Sequence, residues 1–461
     1  MNHTLKSMLI AAAALTAVSA SAQDKATLDL LVKKGVITAE ERAKTLDEGA
    51  QARAASGINR VFPKEDATKR FTIGGYFQSQ YQSFDYSQTV GSTNTSNYAP
   101  QSGFILRRLY VELTAAVGEG ISGNIVLDTS GNTSSSATSW LDRAIVSHSS
   151  TIGTFDLGYR KVQWGYEEST LNSLFKASSG ALYTVERGIT NRYWNEKETG
   201  STGRSDGREL GFGAHHTGLH YVSVANPKGF EYGVSIVNAA QGRFTEGKGQ
   251  NDLATYANLV WNNKVSDNEK YSVGVNYGKS AYYNYTDNAN NLAKIEGFNP
   301  YVQAQYFNWT TYVEFMSTKV TNSSVAANTD KVDRTPTGYN ATVVYKINDS
   351  WEGVARYTSL DTDLRGQYIS EGERGFNNSG NSSTTAYNKS DAIYLGVNYY
   401  FPLEVMGKSF TGHNAKIQLG YEMSKFKGKI TDTLGSPNVR TSDETYSAKL
   451  NVIRLQAQVA F

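Results

Sequence analysis

The chain has 461 residues, with 45 Lys and Arg against 43 Asp and Glu, for a net charge of +2. So small an excess, with both signs interspersed, gives no basic footprint for nucleic acid, and a chain without cysteine holds neither a disulfide nor a zinc–thiolate site. Tyrosine (30) and glycine (42) are abundant, proline is scarce (7), and mean hydropathy is −0.46. That is a poor recipe for the leucine-rich cores of a long soluble chain. It suits a transmembrane barrel, in which half the strand residues face a wet lumen and aromatic girdles mark both membrane interfaces.

Residues 1–22 read as a signal peptide. Lys6 supplies a basic start, Met8 to Val18 an apolar run, and Ala20-Ser21-Ala22 the small residues of a cleavage site before Gln23. The apolar run is too short for ~30 Å of hydrocarbon. Residues 23–61 predict a short helical hairpin or tether on the periplasmic side. Ala26, Leu28, Leu31 and Val32 share one face, and Gly35 is placed to cap the first helix. Thr38 and Glu41 form a capping box for a second helix through about Ala55.

From residue 62 to 461 the chain reads as a barrel, and from Arg70 the period is two. Phe71, Ile73, Phe77 and Tyr81 alternate with Thr72, Gly74, Gln78 and Gln80. Val273, Val275 and Tyr277, then Ile393, Leu395 and Val397, then Ile417, Leu419 and Tyr421 repeat the pattern with small or polar neighbours. Short turns at Gly118-Glu119-Gly120, Asn226-Pro227-Lys228-Gly229 and Ile347-Asn348-Asp349-Ser350 alternate with long Ser/Asn/Thr/Gly-rich segments. Those are Gln88–Ser102, Gln241–Asp252, Tyr282–Gly297, Thr321–Thr335, Asp361–Asn388 and Lys429–Asp443. The expected fold is an all-β transmembrane barrel of about sixteen antiparallel strands. Arg208 to Asn226 is counted as one strand; a break at Thr217-Gly218 would raise the total to eighteen. The terminal strand carries Ile453, Leu455, Ala457, Val459 and Phe461 on one face, a pattern that resembles the signal read by the barrel-assembly machinery.

Several segments in succession resemble the phosphate- and polyphosphate-selective porin family, porin O/P. They are Arg70-Phe-Thr-Ile-Gly-Gly-Tyr-Phe, Leu106-Arg107-Arg108-Leu109-Tyr110-Val111-Glu112-Leu113, and Leu157-Gly-Tyr-Arg-Lys-Val-Gln-Trp-Gly-Tyr. Glu186-Arg187, Gly207-Arg208-Glu-Leu-Gly and Tyr232-Gly-Val-Ser-Ile-Val-Asn follow in order along the barrel. The resemblance implies a sixteen-stranded homotrimeric porin whose third external loop folds inward as a constriction. Trp164 to Asp206, the longest stretch without alternation, follows the fifth strand and fits that loop, with a short helix expected over Leu171–Ser179.

A pore selects by the charge lining its narrowest point, and Arg or Lys suits anions. Arg108 shares a face with Tyr110, Glu112 and Thr114 and is expected inward; Arg107 falls on the apolar face. Arg160 and Arg356 are in phase with the lumen, and Lys161 alternates outward unless the strand has ended. Arg187, Arg192 and Arg204 lie in the third loop, and Arg208 starts the next strand. Each Arg also reads as one half of a structural ion pair. Glu167, Glu168, Glu186, Glu196 and Glu198 in the loop oppose a dedicated phosphate trap. The expectation is a passive channel for small anions, with a general or sugar-permeable porin as the alternative, in which Tyr256, Tyr301 and Tyr394 stack with sugars. His215, His216 and His220 read as surface histidines without ligand spacing. His148 lacks the Gly-x-Ser-x-Gly setting of a barrel lipase. No enzyme activity, cofactor, metal or nucleic-acid partner is expected.

Overall fold

The computed structural model describes residues 71–90, 94–97, 100–118, 120–130, 141–171, 182–195, 212–238, 253–283, 292–323, 332–363, 369, 373–376, 387–401, 403–405, 408–410, 412–429 and 445–460. In the N-terminal unit it describes 32–34, 38–40 and 42. The signal-peptide residues and Glu41 lie outside the described set. In that unit the Arg42 amide donates to the Thr38 carbonyl at 3.0 Å, one helical turn starting at the expected cap.

The barrel strands are β1 (Phe71–Val90), β2 (Gln101–Gly118), β3 (Ile121–Asp128), β4 (Leu141–Ser149), β5 (Gly153–Lys161) and β6 (His215–Ser223). Then come β7 (Phe230–Asn238), β8 (Leu253–Ser266), β9 (Glu269–Tyr283), β10 (Leu292–Tyr306) and β11 (Trp309–Ser323). The last five are β12 (Thr337–Lys346), β13 (Trp351–Asp361), β14 (Lys389–Tyr400), β15 (Ala415–Lys429) and β16 (Thr445–Ala460). The sheet has 18 strands in all. Two of them, Asn94–Asn97 and Val332–Arg334, only extend the long-loop ends of β1 and β11, which leaves sixteen in the wall. Neighbours in sequence pair antiparallel, and β1 pairs with β16 from Tyr76↔Ala460 to Val90↔Tyr446, closing the barrel. Closure satisfies every edge, which a sheet in hydrocarbon requires.

Several sequence expectations shift. Thr217-Gly218 lies within β6, so the count stays at sixteen. β6 starts at His215, not Arg208, so the third loop runs over 162–214. Strands reach into segments expected as loops, β9 to Tyr283 and β11 to Ser323, because polar residues keep the ladder wherever a neighbour strand continues. Short turns recur at the expected places. Gly118 (φ 133°) and Gly120 (φ 79°) turn β2 into β3 in conformations that L side chains rarely adopt.

Facing follows the pleat. On β14, Ala392, Tyr394, Asn398 and Tyr400 are buried inside, while Ile393, Leu395 and Val397 are exposed outside. An aromatic row lines the short-turn end from β6 to β14: Tyr221, Tyr232, Trp261, Tyr271, Tyr306, Trp309, Tyr345, Trp351 and Tyr399, with Trp309 and Tyr345 rings 4.6 Å apart and Trp351 and Tyr399 4.8 Å apart. Nearer the long loops, Phe298–Phe315 and Tyr339–Tyr357 form a second row. Two aromatic rows around an apolar band are the outer surface of a membrane barrel. Among the described residues, no helix is long and apolar enough to cross a membrane. Replacing the outward Leu395 by Arg is expected to destabilise the barrel by about 2–4 kcal/mol, measured by urea titration in lipid bilayers. A cost near zero would place this residue off the lipid face.

Candidate constriction inside the barrel

The third loop leaves β5 at Lys161 and turns into the barrel at Gly165, whose φ of 77° is open to glycine. The wall is ready to receive it. The Gly165 amide donates to Asn299 Oδ1 on β10 (3.0 Å), and the Tyr166 amide to Glu314 Oε2 on β11 (2.7 Å). Asn191 and Asn340 side chains also donate to Glu314 Oε1, at 2.7 and 3.2 Å. A π-helical turn (Tyr166–Leu171) and α1 (Ile189–Asn195) are the described helices of the loop.

Glycines at inward positions make room for the loop's largest rings. The Trp164 ring lies where a Cβ on Gly297 would stand 3.0 Å away, and Trp194 lies 3.1 Å from a Cβ built on Gly338. Trp164 stacks on Phe212 at 4.4 Å, and Phe212 fills the space over Gly278. Trp194 Nε1 donates to Thr318 Oγ1 at 3.2 Å. Tyr394 lies flat across Gly396 and Gly420, and its hydroxyl accepts from the Val185 amide at 3.2 Å. A glycine in a strand marks such close approach.

Charge fixes the loop from two sides. Arg356 on β13 donates to Glu167 Oε1 (2.8 Å), Thr184 Oγ1 (2.9 Å), the Glu186 carbonyl (2.8 Å) and Glu422 Oε1 (3.1 Å). Glu422 on β15 is shared with Arg454 on β16 (3.5 Å), which reaches Glu373 in the 362–388 connection at 3.1 Å. The result is a buried chain of alternating sign, Glu167–Arg356–Glu422–Arg454–Glu373, joining two inward segments through the wall. Across the lumen, the Glu186 carboxylate receives the Arg107 guanidinium of β2 in a two-point pair. Arg187 and Lys161 share Glu168. One loop residue, Glu186, thus ties β13 to β2, strands separated by four others around the wall.

Burial works to raise the carboxyls of Glu168 and Glu186, but the cations beside them outweigh it: Arg187 and Lys161 for the first, Arg107 for the second. Both carboxyls lie below the ordinary range. A depressed carboxyl stabilises the fold above its unfolded pKa and loses that contribution only as pH falls through the lower, folded value.

Most of the arginines expected from sequence lie among the described residues. Arg108, Arg160, Arg187, Arg192 and Arg356 are all buried; Arg204, Arg208 and Phe461 lie outside the described residues. Arg160 pairs with Asp156, which also accepts from Ser147 Oγ. Arg107 corrects its sequence placement: it is 3% exposed and points at the loop. Two successive buried arginines interrupt the alternation of β2 there. Lys161 ends β5 and turns to Glu168 instead of facing outward. His216 and His220 are buried, not on the surface, and their Nδ1 atoms lie 2.9 Å from the Asn238 carbonyl and Ser235 Oγ. Among the described residues no metal-ligating cluster occurs. Tyr256, Tyr301 and Tyr394 do not offer open rings for sugar. Tyr256 packs on Phe212, Tyr301 on Tyr166, and Tyr394 under Val185. Glu422, Arg454 and Glu314 were not singled out from sequence, although their inward phase was readable; what was missing was the loop that meets them.

No protein-family model matches the chain, and no curated protein matches it by sequence. Among solved structures it is similar to the anion-selective porin from Comamonas acidovorans, at 12% identity and a TM-score of 0.47 over 85% of this chain and 99% of that one. It is similar to the outer membrane channel DcaP of Acinetobacter baumannii, at 13% identity and 0.47 over 85% and 97%. It is also similar to the trimer form of OmpT, an outer membrane protein of Vibrio cholerae, at 14% and 0.45 over 85% and 100%. These are likenesses of fold.

Two outcomes are expected for the loop. Arg356→Met leaves Glu167 buried without its cation and Glu422 with Arg454 alone, a loss of about 3–5 kcal/mol. It should free the loop and enlarge single-channel conductance; unchanged conductance and unfolding would remove Arg356 as the clamp. With Glu168 and Glu186 charged throughout, neither adds a step to conductance between about pH 7 and pH 5, and a step in that window abolished by Glu168→Gln or Glu186→Gln would contradict their ion pairing.

Proposed function

We propose that this protein is an exported pore of the bacterial outer membrane, through which small anions diffuse passively past a constriction made by the third loop. The observation that carries the anion preference is Arg108. It is 4% exposed and donates to the Gln78 amide oxygen at 2.7 Å. Among the described residues no carboxylate bonds to it, whereas Arg107, Arg160, Arg187 and Arg356 are each neutralised by one. A buried cation held by a neutral amide is cancelled less than one bonded to a carboxylate, and low-dielectric walls focus its field; Glu314, held only by amide donors, is the opposing charge of the interior. Arg160, Arg187 and Arg356 fit better as positioning residues than as members of a basic ring. Phosphate is therefore one anion among those admitted, and the porin O/P resemblance is read at the level of the pore.

The same reading includes cleavage of residues 1–22, a periplasmic role for 23–61, recognition of the terminal strand by the assembly machinery, and a homotrimer. The aromatic row supports the last of these. At the short-turn end, every strand from β6 to β14 carries an outward Tyr or Trp, Tyr271 on β9 included. The described outward residues of β15, β16 and β1 to β4 there include no Tyr or Trp: most are aliphatic, such as Ile417, Val459, Ile73, Val117 and Ile121, with Phe71 and His148 beside them. Headgroups favour amphipathic rings, so the arc without them suits contact with another subunit.

Reversal potentials in a KCl gradient across planar bilayers test selectivity. An anion-selective potential is expected, and Arg108→Ala should move it toward zero. A cation-selective potential in the natural protein would overturn the anion reading. Native mass spectrometry is expected to count three chains per particle, and a monomer would refute the subunit contact.

A further inference from the structure

A cavity of about 560 Å³ lies on the outside of the barrel, across strands β11 to β16. Its floor is on β13. The outward residues of that strand read Trp351, Gly353, Ala355 and Tyr357, so two small residues stand between two aromatic ones. Tyr345 on β12 and Val397 on β14 oppose Gly353 from either side and form the flanks. No packing within the barrel requires this glycine. A Cβ built on Gly353 meets nothing within 4 Å, whereas those on Gly297 and Gly338 run against a tryptophan. A glycine in a strand often marks close approach by another group, and among the described residues none approaches this one. The groove also has a direction. Trp309, Tyr345, Gly353, Val397, Leu419 and Leu455 are directly opposed in succession. Trp309 is the first residue of β11, Gly353 the third of β13, Leu419 the fifth of β15 and Leu455 the sixth from the end of β16. Each strand thus carries the row one residue farther from the short turns. By β16 the climb is about 17 Å along the strand, or ~13 Å of height at the usual tilt, about half of a ~25 Å apolar band. The groove therefore runs from the aromatic row at Trp309 to the middle of the membrane, the depth of one leaflet.

We propose that this groove holds one acyl chain of a phospholipid. The recess is continuous with the face that the apolar band and the aromatic row assign to the membrane, so its occupant comes from the lipid. Lipid tails are as apolar as the wall, and hydrophobicity alone draws nothing into it. Contact does. A recess without a partner forfeits dispersion along its whole lining, and an unbranched chain laid in it touches the floor at Gly353 and Ala355 and both flanks. Amphipathic rings such as Trp309 and Tyr345 sit at headgroup level, which places the glycerol end of the lipid at the mouth and its tail toward Leu419. Short turns are the periplasmic end of such a barrel, so the chain belongs to the phospholipid leaflet and not to the lipopolysaccharide on the other side. The choice of leaflet rests on the outer-membrane reading above; the groove does not require the barrel to conduct.

Native mass spectrometry of the whole protein in mild detergent, titrated with dioleoylphosphatidylethanolamine, is expected to show saturation at one lipid per chain. Gly353→Leu puts a side chain into open space, so the barrel should fold. It should raise the lipid concentration for half occupancy by at least about tenfold. Ala355→Leu fills the same floor should Gly353→Leu fail to fold. Val234→Leu, outward on β7 and away from the groove, should leave binding unchanged. Absence of saturable binding, unchanged affinity in a folded groove variant, an equal loss in Val234→Leu, or preference for lipid A would each overturn the proposal. A groove variant that changes the number of chains per particle while keeping its lipid would assign the groove to a second copy and overturn it as well. KCl conductance separates this proposal from the pore. Conductance without lipid binding defeats only the groove, and lipid binding without conductance defeats only the pore.

Discussion

The buried chain of charges centred on Arg356 is the constraint on which the interior depends. One carboxylate and two arginines from three wall strands cannot sit buried with their charges unbalanced, since each uncompensated ion costs several kcal/mol. Glu167 from the third loop and Glu373 from the 362–388 connection complete the alternation. The loop is thus required by the wall as much as the wall by the loop. The outer surface follows a simpler rule: apolar side chains in the middle, amphipathic rings at the edges, closure everywhere.

Strand identity and facing were legible from the sequence because a period of two survives any tertiary context that has one face in lipid. Leu395 and Val397 read outward and stand outward. The residues that misled sit where the period fails. Arg107 follows the rule of alternation on paper, but the paired arginines interrupt it on β2, and a single deviation reverses the side on which a residue is counted. Lys161 is the last residue of its strand, where no neighbour enforces the pleat. His216 and His220 were in inward phase, yet nothing local announced that the inside of this barrel is densely packed.

The glutamates of the third loop are the clearest case of composition without geometry. Counted along the chain, Glu167, Glu168 and Glu186 argue against a basic site. Placed in the barrel, each lies against its own Arg or Lys, so their number along the chain says little about the charge left over. The sign of a channel's field is set by which charges lack a partner, and partnership between residues 79 or 189 positions apart, as in Arg107–Glu186 and Glu167–Arg356, leaves no trace in local sequence.

The glycine seats have a consequence for assembly. Gly297 and Gly338 admit Trp164 and Trp194 only while they face inward. A slip of one residue in β10 would present Glu296 or Phe298 at the first seat, and in β12 Thr337 or Tyr339 at the second. The loop then could not enter, and its tryptophans would remain outside the wall. Docking of this loop therefore acts as an inspection of strand register, passed only by a barrel whose strands have zipped in the right frame.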